Sequence, residues 1–430
     1  MSRPLPARAL GIDFGTSNSS VGWQGPQTSR LLPLEGDKCS LPSVIFFNNE
    51  ERRPAYGRQA LDEYLDGYEG RLLRSLKSLL GSKLLASETT LLGSAMPFRQ
   101  VLGLFLGELK RRAEQAAGRS FTEVVLGRPV FFVDDDPQAD REAADTLQDV
   151  ARQLGFREVS FQYEPIAAAF DYECQISREE LVLIVDIGGG TSDFSLLRLS
   201  PARRQDSCRD SDILASDGLH IGGTDFDKQL SLAGVMPLFG YGSRMHSAAL
   251  MPTHYHLNLA TWHTINALYT QKTRLALQSL RYDCQQPQGI DRLLRLLKRR
   301  EGHWLALQVE ARKIDLGHSA QQVIALGQIE EGLQAELSRA LFEQAIEAPL
   351  QRIANTVQGL LASAGVRAEQ VDTLLFTGGS SAVPALRARV AALLPGARQV
   401  EGDRFGGIGS GLAIEAARRY GCSAAGGGRR

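Results

Sequence analysis

Two stretches of the chain combine a carboxylate, glycines and small hydroxyl residues in the same order: Leu10-Gly11-Ile12-Asp13-Phe14-Gly15-Thr16-Ser17-Asn18-Ser19 and Val185-Asp186-Ile187-Gly188-Gly189-Gly190-Thr191-Ser192-Asp193. Each reads as a buried apolar strand that stops at an acid and turns through glycines, whose missing Cβ lets backbone N–H groups approach an anion closely. An acid followed at once by phosphate-type donors is chemistry for a hydrated divalent cation riding on a polyphosphate. One such segment alone reads equally well as an ordinary glycine turn after a strand. Two copies at long period point to duplicated halves, whose acid-tipped hairpins would face one another and clamp the phosphates of a nucleotide.

The elements that must carry these turns are legible as an alternation. Short apolar runs at Ser43 to Phe47, Glu123 to Phe132, Val159 to Gln162, Leu181 to Asp186 and Leu374 to Thr377 alternate with longer helical patterns, which argues for an α/β fold with mostly buried sheets. Between Pro137 and Gly155 the spacing of Ala144, Leu147, Val150, Ala151 and Leu154 is helical, with glycine at the end. A final helix is expected from Ile414 to Arg419. The polar stretch Pro201 to Asp212 reads as an exposed hairpin tip, and Asp217 to Asp227 as a further glycine turn feeding a helix. From Lys228 to Gly317 the pattern is largely helical, and its histidines (His246, His254, His256, His263, His303) follow no metal-ligand spacing. Within it, Asp291 to Arg300 is a basic amphipathic stretch that reads as a solvated helix with a core-facing leucine stripe.

With 430 residues the chain suits two or three domains, and 43% hydrophobic content, 23% charged content and a net charge of −1 are globular values without the basic excess of a nucleic-acid binder. Cys39, Cys174, Cys208, Cys284 and Cys422 form no Cys-x-x-Cys pair, so reduced thiols and a cytoplasmic setting are expected. No apolar run reaches transmembrane length, Met1 to Arg8 lacks the apolar core of a signal peptide, and residues 421–430 read as a flexible tail. Neither membrane nor nucleic acid is an expected partner.

The Gly-x-x-x-x-Gly-Lys-Ser/Thr, Gly-x-Gly-x-x-Gly and Gly-x-Ser-x-Gly patterns are absent, which excludes a P-loop, an ordinary Rossmann site and a nucleophile elbow. A third glycine turn, Leu374-Leu375-Phe376-Thr377-Gly378-Gly379-Ser380-Ser381-Ala382-Val383-Pro384, joins a buried strand to a helix, and a base and ribose could lie against it. In Tyr163-Glu164-Pro165-Ile166-Ala167-Ala168-Ala169-Phe170 a Glu stands just before Pro at a helix start; its carboxylate can face a cleft, although the macrodipole alone would favour an acid there.

In order, the three turns resemble the phosphate-1, phosphate-2 and adenosine motifs of the actin, sugar kinase and heat-shock ATPase superfamily. Glu164-Pro165-x-Ala167-Ala168 resembles its first connecting motif, and Asp403-Arg404-Phe405-Gly406-Gly407-Ile408-Gly409-Ser410-Gly411 its second. With Ile221-Gly222-Gly223-x-Asp225-Phe226-Asp227, the set resembles the DnaK-type heat-shock chaperones, and Glu123 to Val130 with Phe161 to Pro165 resembles their truncated, YegD-like members. The similarity runs from about residue 9 to 418.

The resemblance implies an actin-like ATPase fold: two lobes, each a mixed β-sheet flanked by helices, as duplicated ribonuclease H-like domains. Lobe I would span 1–175, completed by helix 404–420; lobe II would span 176–403, with a helical subdomain at about 228–317. The implied ligands are ATP or ADP and magnesium, with potassium as a second candidate ion. By the same resemblance Asp13 and Asp186 would hold the magnesium through water, and Gly15, Thr16, Ser17, Asn18, Gly188, Gly189 and Gly190 would cradle phosphates. Glu164, Thr191 and Asp193 would orient water near the γ-phosphate, and Lys77 would neutralise charge on the transferred phosphoryl group. Gly222, Gly223, Glu310, Lys313, Ile314, Gly317, Gly378, Gly379, Ser380 and Asp403 would complete the nucleotide site.

Departures from the family pattern are informative. Where the family grips adenine with Glu, Lys, Arg and Ser, this chain has Glu310, Lys313, Ile314 and Gly317, so stacking by a guanidinium plane is lost; Ala382 also replaces a usual Arg. Weaker ATP affinity than in typical chaperones is expected. No acidic-leucine linker or β-rich peptide-binding domain follows the last helix, so the sequence resembles the ATPase half of a chaperone. The implied activity is slow ATP hydrolysis, with a J-domain co-chaperone, an exchange factor or a separate client-binding protein as partners. The alternative is a nucleotide-sensing adaptor whose lobe closure recruits a partner with little turnover.

Overall fold

A computed structural model describes residues 8–25, 30–133, 136–203, 210–403 and 406–421. Met1 to Ala7, residues 204–209 of the expected hairpin tip, Arg404 and Phe405, Cys208, and 422–430 with Cys422 lie outside the described residues. The chain divides into two compact units, one of Met1–His220, Ile353–Ser381 and Arg389–Arg430, the other of Ile221–Arg352 and Ala382–Ala388.

The first unit contains the same sheet twice. In one five-stranded sheet the order is Glu158–Tyr163, Glu123–Arg128, Ala9–Asp13, Asn18–Gly22, Ser40–Pro42; the first three run parallel and the last two continue antiparallel. In the other the order is Arg398–Glu401, Thr373–Thr377, Glu180–Ile187, Ser192–Leu199, Ile213–Leu219, with the same senses. The central strands carry the two motif aspartates, and both are buried but for a half-buried Leu181, as strands paired on two sides and covered on both faces must be. The hairpin registers match as well: Asp13 lies opposite Ser20, and Asp186 opposite Asp193.

Each half also ends its parallel edge in a helix, Glu164–Glu173 after the first and Gly407–Tyr420 after the second. The second of these begins seven residues earlier than the periodicity alone suggests, because its first turns contain Gly407, Gly409 and Gly411, residues that weaken an isolated helix. Tertiary packing overrides that penalty. A Cβ on Gly411 would collide with the carbonyl oxygen of Ala167, and Gly11 and Gly22 leave equally little room against Leu412 and Gly409. Backbone meets backbone at this crossing, a contact that only glycine permits.

The strand expected from Glu123 to Phe132 stops at Arg128, since Pro129 has no N–H to extend the ladder. The helix expected from Pro137 runs Pro137–Gln153, capped by Asp136, whose carboxylate accepts from the N–H groups of Gln138 and Ala139.

The second unit is mainly helical, including Gly223–Leu230, Gln271–Asp283, Gln288–Arg299 and Gly302–Leu316, with a hairpin of Gln321–Ala325 and Gln334–Ser338. In Gln288–Arg299 the stripe Ile290, Leu293 and Leu296 is buried, while Arg292 and Arg295 turn outward to Glu330. Among the described residues no helix is long and apolar enough to cross a membrane.

Candidate phosphate and cation site

The two motif turns close on each other within the first unit. A Cβ on Gly189 would strike the Ser17 hydroxyl, and one on Gly190 would lie 2.8 Å from Thr16 Oγ1 and 3.3 Å from Ser78 Oγ. Glycine is therefore needed for the loops to meet. The first loop is pinned from behind: Ser43 donates its hydroxyl to the Gly15 carbonyl at 2.7 Å and its N–H to the Ser17 carbonyl at 2.9 Å. The second closes on itself through Gly188 N–H to Thr191 O at 2.9 Å.

Lys77 sits in the short 3-10 turn Leu76–Leu79, which follows Ser75 in the left-handed region at φ +58°. A non-glycine residue held there is a local strain that the surrounding structure must over-determine, and it fixes where the next turn points. Lys77 is only 6% exposed, and its ammonium donates to Glu164 Oε1 at 2.5 Å. Glu164 is the first residue of its helix, and Gly127 on the adjacent strand leaves the space its side chain occupies. Asp193 Oδ1 accepts from the Val130 N–H at 2.5 Å, so the backbone freed when the strand ends at Arg128 is used here.

Four buried carboxylates, Asp13, Glu164, Asp186 and Asp193, share this one lysine. Burial, reinforced by the Glu164 charge, pushes Asp13 up to about 7, against Lys77 and a hydrogen bond from Ser20. Burial and Glu164 likewise push Asp193 up to about 7, opposed by the Val130 N–H, the Thr191 hydroxyl and Lys77. Asp186 rises well above the usual carboxylate range through burial, Glu164, Asp193 and Asp13, with Lys77 pulling the other way. Burial alone would depress Lys77, but the charge and hydrogen bond of Glu164, with Asp13 and Asp193 behind it, hold its ammonium above the ordinary value. Such a cluster is short of positive charge. Asp186 Oδ1 is moreover buried with no hydrogen-bond partner.

A family model described as "Hsp70 protein" matches residues 83–233 and 279–417. The chain belongs to the Hsp70 family. Among curated proteins it is 28% identical over 400 residues to "Chaperone protein HscA homolog" of Haemophilus influenzae (strain PittGG), covering 89% of this chain and 53% of that protein. It is 26% identical, with the same coverage, to the protein of the same name from Actinobacillus pleuropneumoniae serotype 5b (strain L20). The chain spans about half the length of the curated relatives it matches. With the family, its fold class is α/β of the actin-like ATPase kind.

In this Hsp70 chain the first unit brings together Asp13, Gly15, Thr16, Ser17, Lys77, Glu164, Asp186, Gly188 to Gly190, Thr191, Asp193 and Gly378. Asn18 opens the returning strand. Gly378, at φ +77°, follows the strand Thr373–Thr377, and a Cβ there would lie 2.5 Å from Asp186 Oδ1. Gly379 and Ser380 continue into a 3-10 turn, and Asp403 closes its own loop by accepting from the Gly406 N–H at 3.1 Å.

Gly222, Gly223, Glu310, Lys313, Ile314 and Gly317 belong to the second unit. There Gly222 and Gly223 start a helix, with the Gly222 N–H donating to Asp225. Lys313 is buried and committed: it pairs with Asp227 at 2.8 Å and donates to the Gly223 carbonyl at 3.1 Å. Ile314 is 60% exposed.

Sequence reasoning missed Ser20, Ser43, Ser75, Ser78, Gly127 and Val130. The equal seven-residue spacing of Asp13 to Ser20 and Asp186 to Asp193 was a usable signal for Ser20. Ser43 and Ser78 act through hydroxyls brought in by the fold, and Ser75, Gly127 and Val130 through backbone or the room they leave, so none of these leaves a pattern in the chain.

Proposed function

We propose that this chain binds ATP with magnesium and hydrolyses it slowly to ADP and phosphate. The buried Lys77–Glu164 pair, set among Asp13, Asp186 and Asp193, carries the reading. A cation fits: Asp186 Oδ1 lacks a partner, and the carboxylates outnumber the lysine. Among the described residues no group of three or more His, Cys, Asp or Glu side chains is arranged to hold a metal. Asp13 and Asp186 would accordingly hold magnesium with water in its other positions, and the ion would supply charge neutralisation at the phosphates.

The chain's own groups then divide the labour. Thr16, Ser17 and Gly188 to Gly190 receive the phosphates, Lys77 faces the charge that develops on the transferred group, and Glu164 keeps that lysine protonated and aimed. Thr191 and Asp193 orient the attacking water, with the Val130 N–H fixing one Asp193 oxygen and leaving the other without a hydrogen-bond partner. Lobe I is assigned to 1–175 with 404–420 and lobe II to 176–403. A role in chaperoning is carried over from the HscA homologues as part of this proposal, and a J-domain protein and an exchange factor are the partners that the family resemblance implies.

Phosphate release from purified protein tests the reading. Lys77→Ala should lower it by about 10²-fold or more; unchanged release would remove Lys77 from the chemistry. A second reading, a nucleotide-sensing adaptor with little turnover, is favoured by the commitment of Lys313 to Asp227. Stimulation of release by a J-domain protein and unfolded peptide separates the two, since an adaptor would show tight nucleotide binding without it.

A further inference from the structure

Among the described residues the hydroxyl of Ser78, the residue after Lys77, has no hydrogen-bond partner. A serine in a short helical turn ordinarily bends its hydroxyl back onto a carbonyl three or four residues earlier. Two serines close by in sequence do so: Ser82 donates to the Leu79 carbonyl at 2.8 Å, and Ser87 to the Leu84 carbonyl at 2.7 Å. At Ser78 it is the backbone N–H that takes the Ser75 carbonyl, at 3.0 Å, and the hydroxyl is left over. The turn that carries it is nonetheless fixed, because Leu76, Leu79 and Leu80 are all buried.

The spare hydroxyl stands in the phosphate cradle. Ser78 Oγ lies 3.3 Å, and Thr16 Oγ1 2.8 Å, from the point where Gly190 would carry a Cβ, so the two hydroxyls are no more than about 6 Å apart. Thr16 is only 5% exposed, and among the described residues its hydroxyl is also without a partner. A buried hydroxyl left unbonded carries a desolvation penalty that a ligand relieves. The first loop, the Lys77 turn and the second loop thus bring two unused donors to one place.

We propose that Ser78 is a phosphate-contacting residue: together with Thr16 it donates to the terminal phosphoryl group of bound ATP and so sets the preference of the site for ATP over ADP. This rests on the nucleotide reading given above. A cation would be drawn to the four carboxylates before two neutral hydroxyls. A phosphoryl group, with three acceptor oxygens, spans hydroxyls at this separation through O–H···O bonds of about 2.7 Å. The terminal group is assigned because Lys77, which faces the charge developing there, is the neighbour of Ser78 in the same four-residue turn. That group would tie residues 16, 78 and 190 together, and its departure after cleavage would release the tie. A water bridging the same two hydroxyls predicts otherwise, since it gives Ser78 no stake in the number of phosphates bound.

Calorimetric titration of the full chain, with magnesium present, against ADP and against an ATP analogue whose β,γ-bridge resists hydrolysis separates these outcomes. Ser78→Ala should weaken the analogue about tenfold and change ADP affinity by less than about twofold, with Tm unchanged because no internal hydrogen bond is removed. Ser82→Ala, which does remove one, should leave both affinities as they are. If the unmodified chain binds both nucleotides and Ser78→Ala weakens both equally, or neither, the assignment of Ser78 is overturned and the nucleotide reading stands. A fall in Tm together with both affinities would make Ser78 structural and overturn the assignment in the same way. An unmodified chain that binds neither nucleotide overturns both.

Discussion

The two hairpins of the first unit share strand order, sense and the seven-residue interval from acid to facing residue, yet differ in what stands opposite the acid. Across from Asp13 is Ser20, whose hydroxyl donates to Asp13 Oδ2 at 3.4 Å. Across from Asp186 is Asp193, a second carboxylate that pushes the first toward protonation. The first half thus solvates its acid with a neutral donor, and the second crowds it. Duplication supplied a symmetric frame, and the chemistry was placed in the asymmetry.

Converting the second hairpin to the first is the strongest way to break this comparison. Asp193→Ser should leave the fold intact and lower phosphate release by about 10²- to 10³-fold, with nucleotide affinity little changed. A proportional loss of affinity would mean that Asp193 binds rather than orients. The converse change, Ser20→Asp, buries a carboxylate beside Asp13 without a partner and should cost about 3 kcal/mol in the cation-free protein, read by denaturant unfolding.

The pH dependence sharpens the same contrast. Asp13 and Asp193 titrate at about 7 in the folded protein, above the unfolded value of about 4, so the fold binds more protons between those limits. Their contribution to stability is complete below about pH 4 and is lost as pH rises through 7, by up to about 1.4 kcal/mol per pH unit for each group. The cation-free protein should therefore melt at a higher temperature at pH 5 than at pH 8, and Asp13→Asn should flatten the slope. A Tm that rises over this interval would show that other groups dominate. The smallest effect is expected at Ser43→Ala, which removes the pin behind the first loop only: about 1 kcal/mol of stability and a modest loss of phosphate affinity.

Much of this arrangement was legible in the chain, for a physical reason. Strands buried on both faces must be apolar from end to end, so Leu181 to Asp186 and Leu374 to Thr377 declare themselves, and an acid at the end of such a run has few bland explanations. What stayed hidden depends on partners distant in sequence. Nothing near Asp193 announces that the Val130 N–H, 63 residues away, will hold it. Lys313 sits at the right place in its motif, but its commitment to Asp227 appears only once the two helices pack. Gly407, Gly409 and Gly411 read as helix breakers until the strands and helix against them are in view.

The crossing of Gly411 with Ala167 has a consequence at the level of the codon. Every single-base missense change of a glycine codon installs a side chain with a Cβ, and here that atom would meet a carbonyl oxygen of the neighbouring backbone rather than a side chain able to rotate away. Position 411 therefore has no conservative neighbour in the genetic code: each one-step amino-acid replacement there forces the two helices apart.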